Sequence, residues 1–242
     1  MRYRRIVISR FGGPEVLDVV EDNLRDAGPG EVRVKVLAAG VSWVEFMMRQ
    51  NTYPSQPKPP FTPGYDVVGL VDQTGDGANQ YRLGQRVAAL LIHGGYSEYV
   101  FVPQDALVPV PDELDPAEAV CLVLNYVTAY QMMHRTVQLQ TGQRLLVHSA
   151  AGGVGTALLQ LGRDIGLQMY GTASKSKHSL IEKLGGRPID YRMKISSIGF
   201  SISPAMASIL SVMPSAARTG CVPTAACAPA ERWWPMARKP RW

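Results

Sequence analysis

The chain has 242 residues, 46% hydrophobic and 19% charged, with 25 Lys and Arg against 20 Asp and Glu and a formal charge of +5. That length fits one large domain or two modest ones with ample apolar material for a core, and no stretch approaches the ~20 consecutive apolar residues of a membrane-spanning helix. Cys121, Cys221 and Cys227 make no disulfide framework, and the basic residues 1–5 lack the apolar segment of a secretory signal, so a soluble, cytoplasmic protein is expected.

The charge is unevenly placed. Six of the basic residues but only one acid, Glu231, lie in 193–242, which leaves 19 of each sign in 1–192. The tail charges are scattered among Pro and Ala with no element to present them, so no nucleic-acid partner is expected.

Residues 1–115 read as short strands broken by turns. Val32, Val34 and Val36 alternate with Arg33 and Lys35, the period of a strand with one wet face. Residues 65–72 and 96–102 are further β-rich runs, separated by Gly28-Pro29-Gly30 and the proline cluster of 57–63. One helix is predicted inside this pattern, over 43–49. At Asp115 the period changes: a capping Asp followed by Pro116 predicts a helix over 117–135. Then come an apolar strand, Leu145-Leu146-Val147, a glycine turn, and a helix over 154–165. A strand over 168–172, a helix over 175–184 stopped by Gly185-Gly186, and a strand over 188–191 complete an alternating parallel α/β pattern. The expected fold is α/β with a β-rich first domain.

The motif with most chemical content is Leu145-Leu-Val-His-Ser-Ala-Ala-Gly-Gly-Val-Gly155. A buried strand feeds a glycine turn that opens a helix, where free N–H groups and the helix dipole favour a pyrophosphate. Ala151, Gly152, Gly153, Val154 and Gly155 are the candidate dinucleotide-binding residues; Gly152 and Gly153 let a phosphate approach, and Gly155 packs the helix on the strand. The alternative is a plain tight turn. The end of the next strand discriminates between cofactors. An NAD site places an acid there, whereas Gly171-Thr-Ala-Ser-Lys-Ser-Lys-His178 has none. Ser174, Lys175 and Lys177 suit a 2′-phosphate, which points to NADPH; a solvated helical turn is the alternative.

These residues resemble a family, the zinc-independent medium-chain dehydrogenases/reductases, in the quinone oxidoreductase (zeta-crystallin-like) and vesicle-amine-transport-protein group. The resemblance runs through residues 4–192. It is carried by Phe11-Gly-Gly-Pro-Glu-Val-Leu17, Gly28-Pro-Gly-Glu-Val-Arg-Val-Lys-Val36, Ala39-Gly-Val-Ser42 and Pro63-Gly-Tyr-Asp-Val-Val-Gly69. Gly84-Gln-Arg-Val87, Gly94-Gly-Tyr-Ser-Glu-Tyr99, Thr128-Ala-Tyr130, the glycine turn and Ile189-Asp-Tyr-Arg192 follow in the family's order. The resemblance implies a GroES-like catalytic domain over 1–115 and the first half of a Rossmann NADPH-binding domain over 116–192. It implies hydride transfer to a quinone or an α,β-unsaturated carbonyl, or alternatively a non-catalytic, vesicle-protein-like binding or membrane-associated role.

By the same resemblance, Ser42, Tyr53, Asn125 and Thr128 are the candidate catalytic residues of the cleft, and Lys177 and Tyr191 touch the adenosine 2′-phosphate. For Tyr53 the alternative is a loop aromatic packed on the proline-rich segment. Quinone reductases have Asn at the place of Ser42 and Tyr near Met47, so the choice of acceptor stays open. Zinc-dependent members carry Cys near Ser42 and Gly-His-Glu where this chain reads Gly64-Tyr65-Asp66. Cys121 reads as a small core residue, and no metal is expected. The family is homodimeric, through a sheet edge expected to be lost here.

Residues 193–242 fit neither pattern and hold three of the four Trp. Shifted by one base, Trp233-Trp234-Pro235 must yield Val-Ala and Met236-Ala237 must yield Gly. Permitted codons give Leu-Arg-Pro-Gly-Gly-Thr-Leu over 226–232. These match missing family segments in order, so the tail is expected to be a frameshift product, irregular or disordered. The chain is accordingly expected to be C-terminally truncated, with an incomplete Rossmann domain and impaired activity.

Overall fold

A computed structural model describes residues 1–54 and 56–192; the expectations placed on residues 193–242 lie outside the described residues. Strands β1 (Arg2–Ile8) and β2 (Leu17–Asn23) pair antiparallel, with Arg2 opposite Asn23 and Ile8 opposite Leu17. Next come β3 (Glu31–Ala39), β4 (Asp66–Thr74), β5 (Arg86–Leu90), β6 (Tyr99–Pro103) and β7 (Leu107–Pro109). They form one antiparallel sheet in the order β6-β3-β4-β5-β7. Its inner face explains the alternation at 32–36. Val32 and Val34 are buried with Val67, Val71, Val87, Val100 and Val102, while Lys35 is exposed. Helix α1 (Trp43–Arg49) lies between β3 and β4 in sequence, as its pattern predicts.

The second part begins at α2 (Pro116–Cys121). Asp115 Oδ1 accepts from the Ala117 N–H at 2.9 Å and the Glu118 N–H at 3.3 Å, the cap its sequence advertises. The helix expected over 117–135 is present as one helical run over 116–136, but its winding changes along the way. Leu122–Tyr126 and Gln131–Thr136 are wound as wider π-turns on either side of α3 (Val127–Tyr130). Inside the first π-turn, the Leu124 N–H donates to Asp66 Oδ2 on β4 at 3.2 Å. A second departure concerns Cys121, which is exposed rather than a core residue. The face of α2 that meets the sheet is Ala119 and Val120, packed with Val68 and Ala88.

Strand β8 (Arg144–Val147), helix α4 (Gly153–Asp164), strand β9 (Gln168–Ala173), helix α5 (His178–Lys183) and strand β10 (Arg187–Asp190) follow. The strands form a parallel sheet in the order β10-β9-β8, with Leu145 beside Met169 and Ile189 beside Thr172. Leu145, Val147, Leu158, Leu159, Met169 and Ile181 build its core, joined by Ala129 and Met133 from the preceding helical segment. Residues 175–177 form a tight turn, so α5 starts at His178, later than expected, and β10 stops before Tyr191.

Candidate functional site

In the β-rich part the site begins at the cap of α1. Ser42 Oγ accepts from the Val44 N–H at 3.1 Å, and Glu45 Oε2 accepts from the Ser42 N–H at 2.9 Å and the Ser42 hydroxyl at 2.6 Å. This is a capping box, which requires Ser and Glu at this spacing. Glu45 is only 6% exposed, and its other oxygen accepts from the Tyr65 N–H at 3.0 Å. The buried carboxylate is thus served by three donors. Ser42, a candidate catalytic residue, has its hydroxyl engaged in this box.

Gly64, at φ +107, allows the Tyr65 segment to cross Gly95 and Tyr96 closely; a Cβ there would lie 2.5 Å from the Tyr96 nitrogen. Tyr65 is buried, and its hydroxyl lies 3.3 Å from that of Tyr53, the rings edge to face with centroids 6.5 Å apart. Burial first, then the Tyr53 contact and the Glu45 charge, hold the Tyr65 phenol well above the ordinary tyrosine range. Tyr65 therefore stays protonated. Tyr53 is half-buried and packs on the cluster of Ile8, Met48, Phe61 and Tyr65.

Asp66 is buried, and burial pushes its carboxyl up to about 6; Glu45 adds to the rise, while N–H groups of Leu124 and Gly40 oppose it. The Tyr96 hydroxyl is buried without a hydrogen-bond partner among the described residues. Burial, with the charges of Glu45 and Asp66, raises its phenol too.

At the end of β8, His148 is half-buried with Nδ1 3.2 Å from Thr172 Oγ1, and burial holds its imidazole below the ordinary range. The glycines that follow have three different surroundings. A Cβ on Gly155 would strike Ser149 O at 2.5 Å and Ala150 Cα at 2.7 Å, so α4 packs closely on the turn. A Cβ on Gly152 would meet only Ser149 O, at 3.2 Å, and Gly152 precedes α4 without contributing a side-chain cap. The corresponding space at Gly153 is filled by Asn125, with Nδ2 and Oδ1 both 2.8 Å from that point. The expectation that both glycines leave room for a phosphate therefore divides: Gly152 is open and Gly153 is covered. Ala151 and Val154 are half-buried against the core. Thr128 is half-buried on α3, and the Tyr126 hydroxyl donates to Gln160 Oε1 on α4.

At the C-terminal ends of β9 and β10, Ser174 Oγ lies 3.2 Å from Ser176 Oγ, Lys175 and Lys177 are exposed, and Tyr191 is exposed with the Arg192 guanidinium 5.8 Å from its ring centroid. The structure thus gathers the predicted residues into three groups. Ser42 caps α1 and Tyr53 lies in the loop after it, Asn125 and Thr128 lie on the helical segment, and the glycine turn with the cations lies at the ends of the parallel strands. Asp66 on Leu124 joins the first two groups, and Asn125 on Gly153 joins the second to the third. Glu45, Tyr65, Asp66 and Tyr96 escaped sequence reasoning as a cluster; the one local signal was Ser42 followed by Glu45. Among the described residues, no three His, Cys, Asp or Glu side chains converge as a metal site. No helix among them is long and apolar enough to cross a membrane.

Residues 28–112 match the family model of the alcohol dehydrogenase GroES-like domain. The chain is 34% identical over 200 residues to the human synaptic vesicle membrane protein VAT-1 homolog-like, covering 81% of this chain and 48% of that protein. It is 37% identical over 176 residues to the rat quinone oxidoreductase, covering 72% and 54%. Among solved structures, the quinone oxidoreductase of Thermus thermophilus, whose complex with NADPH is also known, superposes with a TM-score of 0.68 at 35% identity, covering 76% of this chain and 58% of that one. The chain spans about half the length of the curated relatives it matches.

Proposed function

The chain is a homologue of the quinone oxidoreductases and VAT-1 proteins of the medium-chain dehydrogenase/reductase family, an oxidoreductase family, and from that premise we propose that it binds NADPH and transfers hydride to a quinone or an α,β-unsaturated carbonyl. The observation that carries this is the glycine turn between β8 and α4, open at Gly152, combined with an acid-free end of β9 bearing Ser174, Lys175 and Lys177. The residues present fit the group. Free N–H groups at the start of α4 suit a pyrophosphate, and two exposed lysines suit a 2′-phosphate where a carboxylate would repel it.

When bound, NADPH supplies the hydride. The chain's own residues position and protonate. Lys175, Lys177, Ser174 and Tyr191 hold the adenosine end, and the glycine turn holds the pyrophosphate. Thr128 and Asn125 flank the cleft side of that turn. The Tyr53 and Tyr65 hydroxyls lie 3.3 Å apart and either can donate; in the arrangement where Tyr65 donates, the Tyr53 proton is left for a small-molecule acceptor. Residues 1–115 form the catalytic domain and 116–192 the cofactor half, in a cytoplasmic enzyme of a homodimeric family. The expected impairment of turnover rests on residues 193–242, outside the described residues, and the same assay decides it.

The test is fluorescence titration of the purified chain with NADPH and NADH, alongside quinone-dependent NADPH oxidation. Preferential NADPH binding, with weak oxidation that requires a quinone or enone, is expected; absence of NADPH binding would contradict the proposal. A second reading, suggested by the name of the synaptic vesicle membrane protein relatives, is a non-catalytic, vesicle-protein-like binding or membrane-associated protein. NADPH binding with no oxidation of any acceptor would support it.

A further inference from the structure

Asn125 occupies an unusual place. It sits in the π-turn Leu122–Tyr126, half-buried, with its carboxamide directly over Gly153, the first residue of the 12-residue helix α4. The residues on either side are anchored. The Leu124 N–H is held by Asp66 and the Tyr126 hydroxyl by Gln160. The carboxamide itself enters no hydrogen bond with another described residue, and its atoms are not among those sealed from solvent without a partner. Nδ2 and Oδ1 are equidistant from the Gly153 Cβ position, so a flip about the terminal bond presents the N–H donors without moving the side chain. Below it, the first N–H groups of α4 have no side-chain cap.

We propose that Asn125 is a cofactor-binding residue whose Nδ2 donates to the pyrophosphate seated on the glycine turn, an inference that rests on the proposed NADPH site. Its carboxamide fills the one side of Gly153 that the backbone leaves open and adds a fixed, uncharged donor to the helix N–H groups. This also gives Gly153 a requirement distinct from that of Gly152: Gly152 leaves room for the phosphate, and Gly153 leaves room for Asn125.

The test separates donation from packing by using Asn125→Asp, which keeps the shape but exchanges the donor for a charge, together with Asn125→Ala. Each is made in the full 242-residue chain, and binding of NADPH is compared with binding of 2′-AMP, which carries the 2′-phosphate but no pyrophosphate. A hydrogen bond to a charged group is worth at least about tenfold in affinity. The expected result is a tenfold or larger loss of NADPH affinity in both variants, larger in Asn125→Asp, with 2′-AMP affinity and melting temperature unchanged in Asn125→Asp. Undiminished NADPH binding by Asn125→Asp, or equal losses for NADPH and 2′-AMP, would overturn the assignment while leaving the cofactor site standing. Failure of the unaltered chain to bind either ligand would overturn the cofactor site itself, and Asn125's role with it.

Discussion

Asp66 is one residue through which pH acts on this fold. Its folded-state value of about 6 lies above the ordinary carboxylate value, so the folded chain retains a proton that the unfolded chain releases. The stability this group contributes is full below about pH 4, is lost as pH rises through about 6, and changes no further above that. Asp66→Asn removes the charge and keeps an acceptor for the Leu124 N–H. It should raise the melting temperature at pH 8, by the equivalent of at most about 3 kcal/mol, and give little gain at pH 4. Thermal melts at the two pH values check this; an equal gain at both would mean the charge is not the cause. The glycine turn offers a second contrast. Gly153→Ala forces the Asn125 carboxamide to move from 2.8 Å and should cost about 1–3 kcal/mol of stability. Gly152→Ala meets one carbonyl at 3.2 Å in an extended backbone. It should change stability by less than about 1 kcal/mol yet weaken NADPH binding, as paired melts and titrations would show.

At the scale of elements, the start of α1 is fixed by Ser42 and Glu45 together. Ser42→Ala removes the cap and one donor to a buried carboxylate, so a loss of about 1–2 kcal/mol is expected by calorimetry. A loss of activity with unchanged stability would instead give the hydroxyl a catalytic role. Elements whose causes are local were legible in the sequence. The helix Trp43–Arg49, the Asp115-Pro116 start of α2, and the strand–turn–helix around the glycines all follow from neighbouring residues. The change of winding after Cys121 is not legible. There the Leu124 N–H goes to Asp66, a residue 58 positions away, and no helical period encodes that contact. Asn125 is a candidate from resemblance alone, and its place on Gly153 comes from packing between distant segments. Cys121 is exposed although its neighbours are apolar, because apolar neighbours say nothing about which face of a short helix meets the sheet. Tyr53 follows the packing alternative, lying on the cluster that holds Phe61 of the proline-rich segment, with its hydroxyl 3.3 Å from that of Tyr65.

For the whole molecule, the +5 charge reads differently once divided. Residues 1–192 are balanced, so attraction of an anionic cofactor depends on where cations stand rather than on their total. Lys175 and Lys177 stand exposed at the end of β9, beyond the turn where α4 begins. Preference for a 2′-phosphate is therefore a local property that a double substitution should erase without disturbing the fold. Titration of NADPH and NADH against the chain and its Lys175→Ala/Lys177→Ala variant tests this most directly. The unaltered chain should bind NADPH at least about tenfold tighter than NADH, and the variant should lose that preference by weakening NADPH alone; equal affinities in the unaltered chain, or equal weakening of both cofactors in the variant, would contradict it.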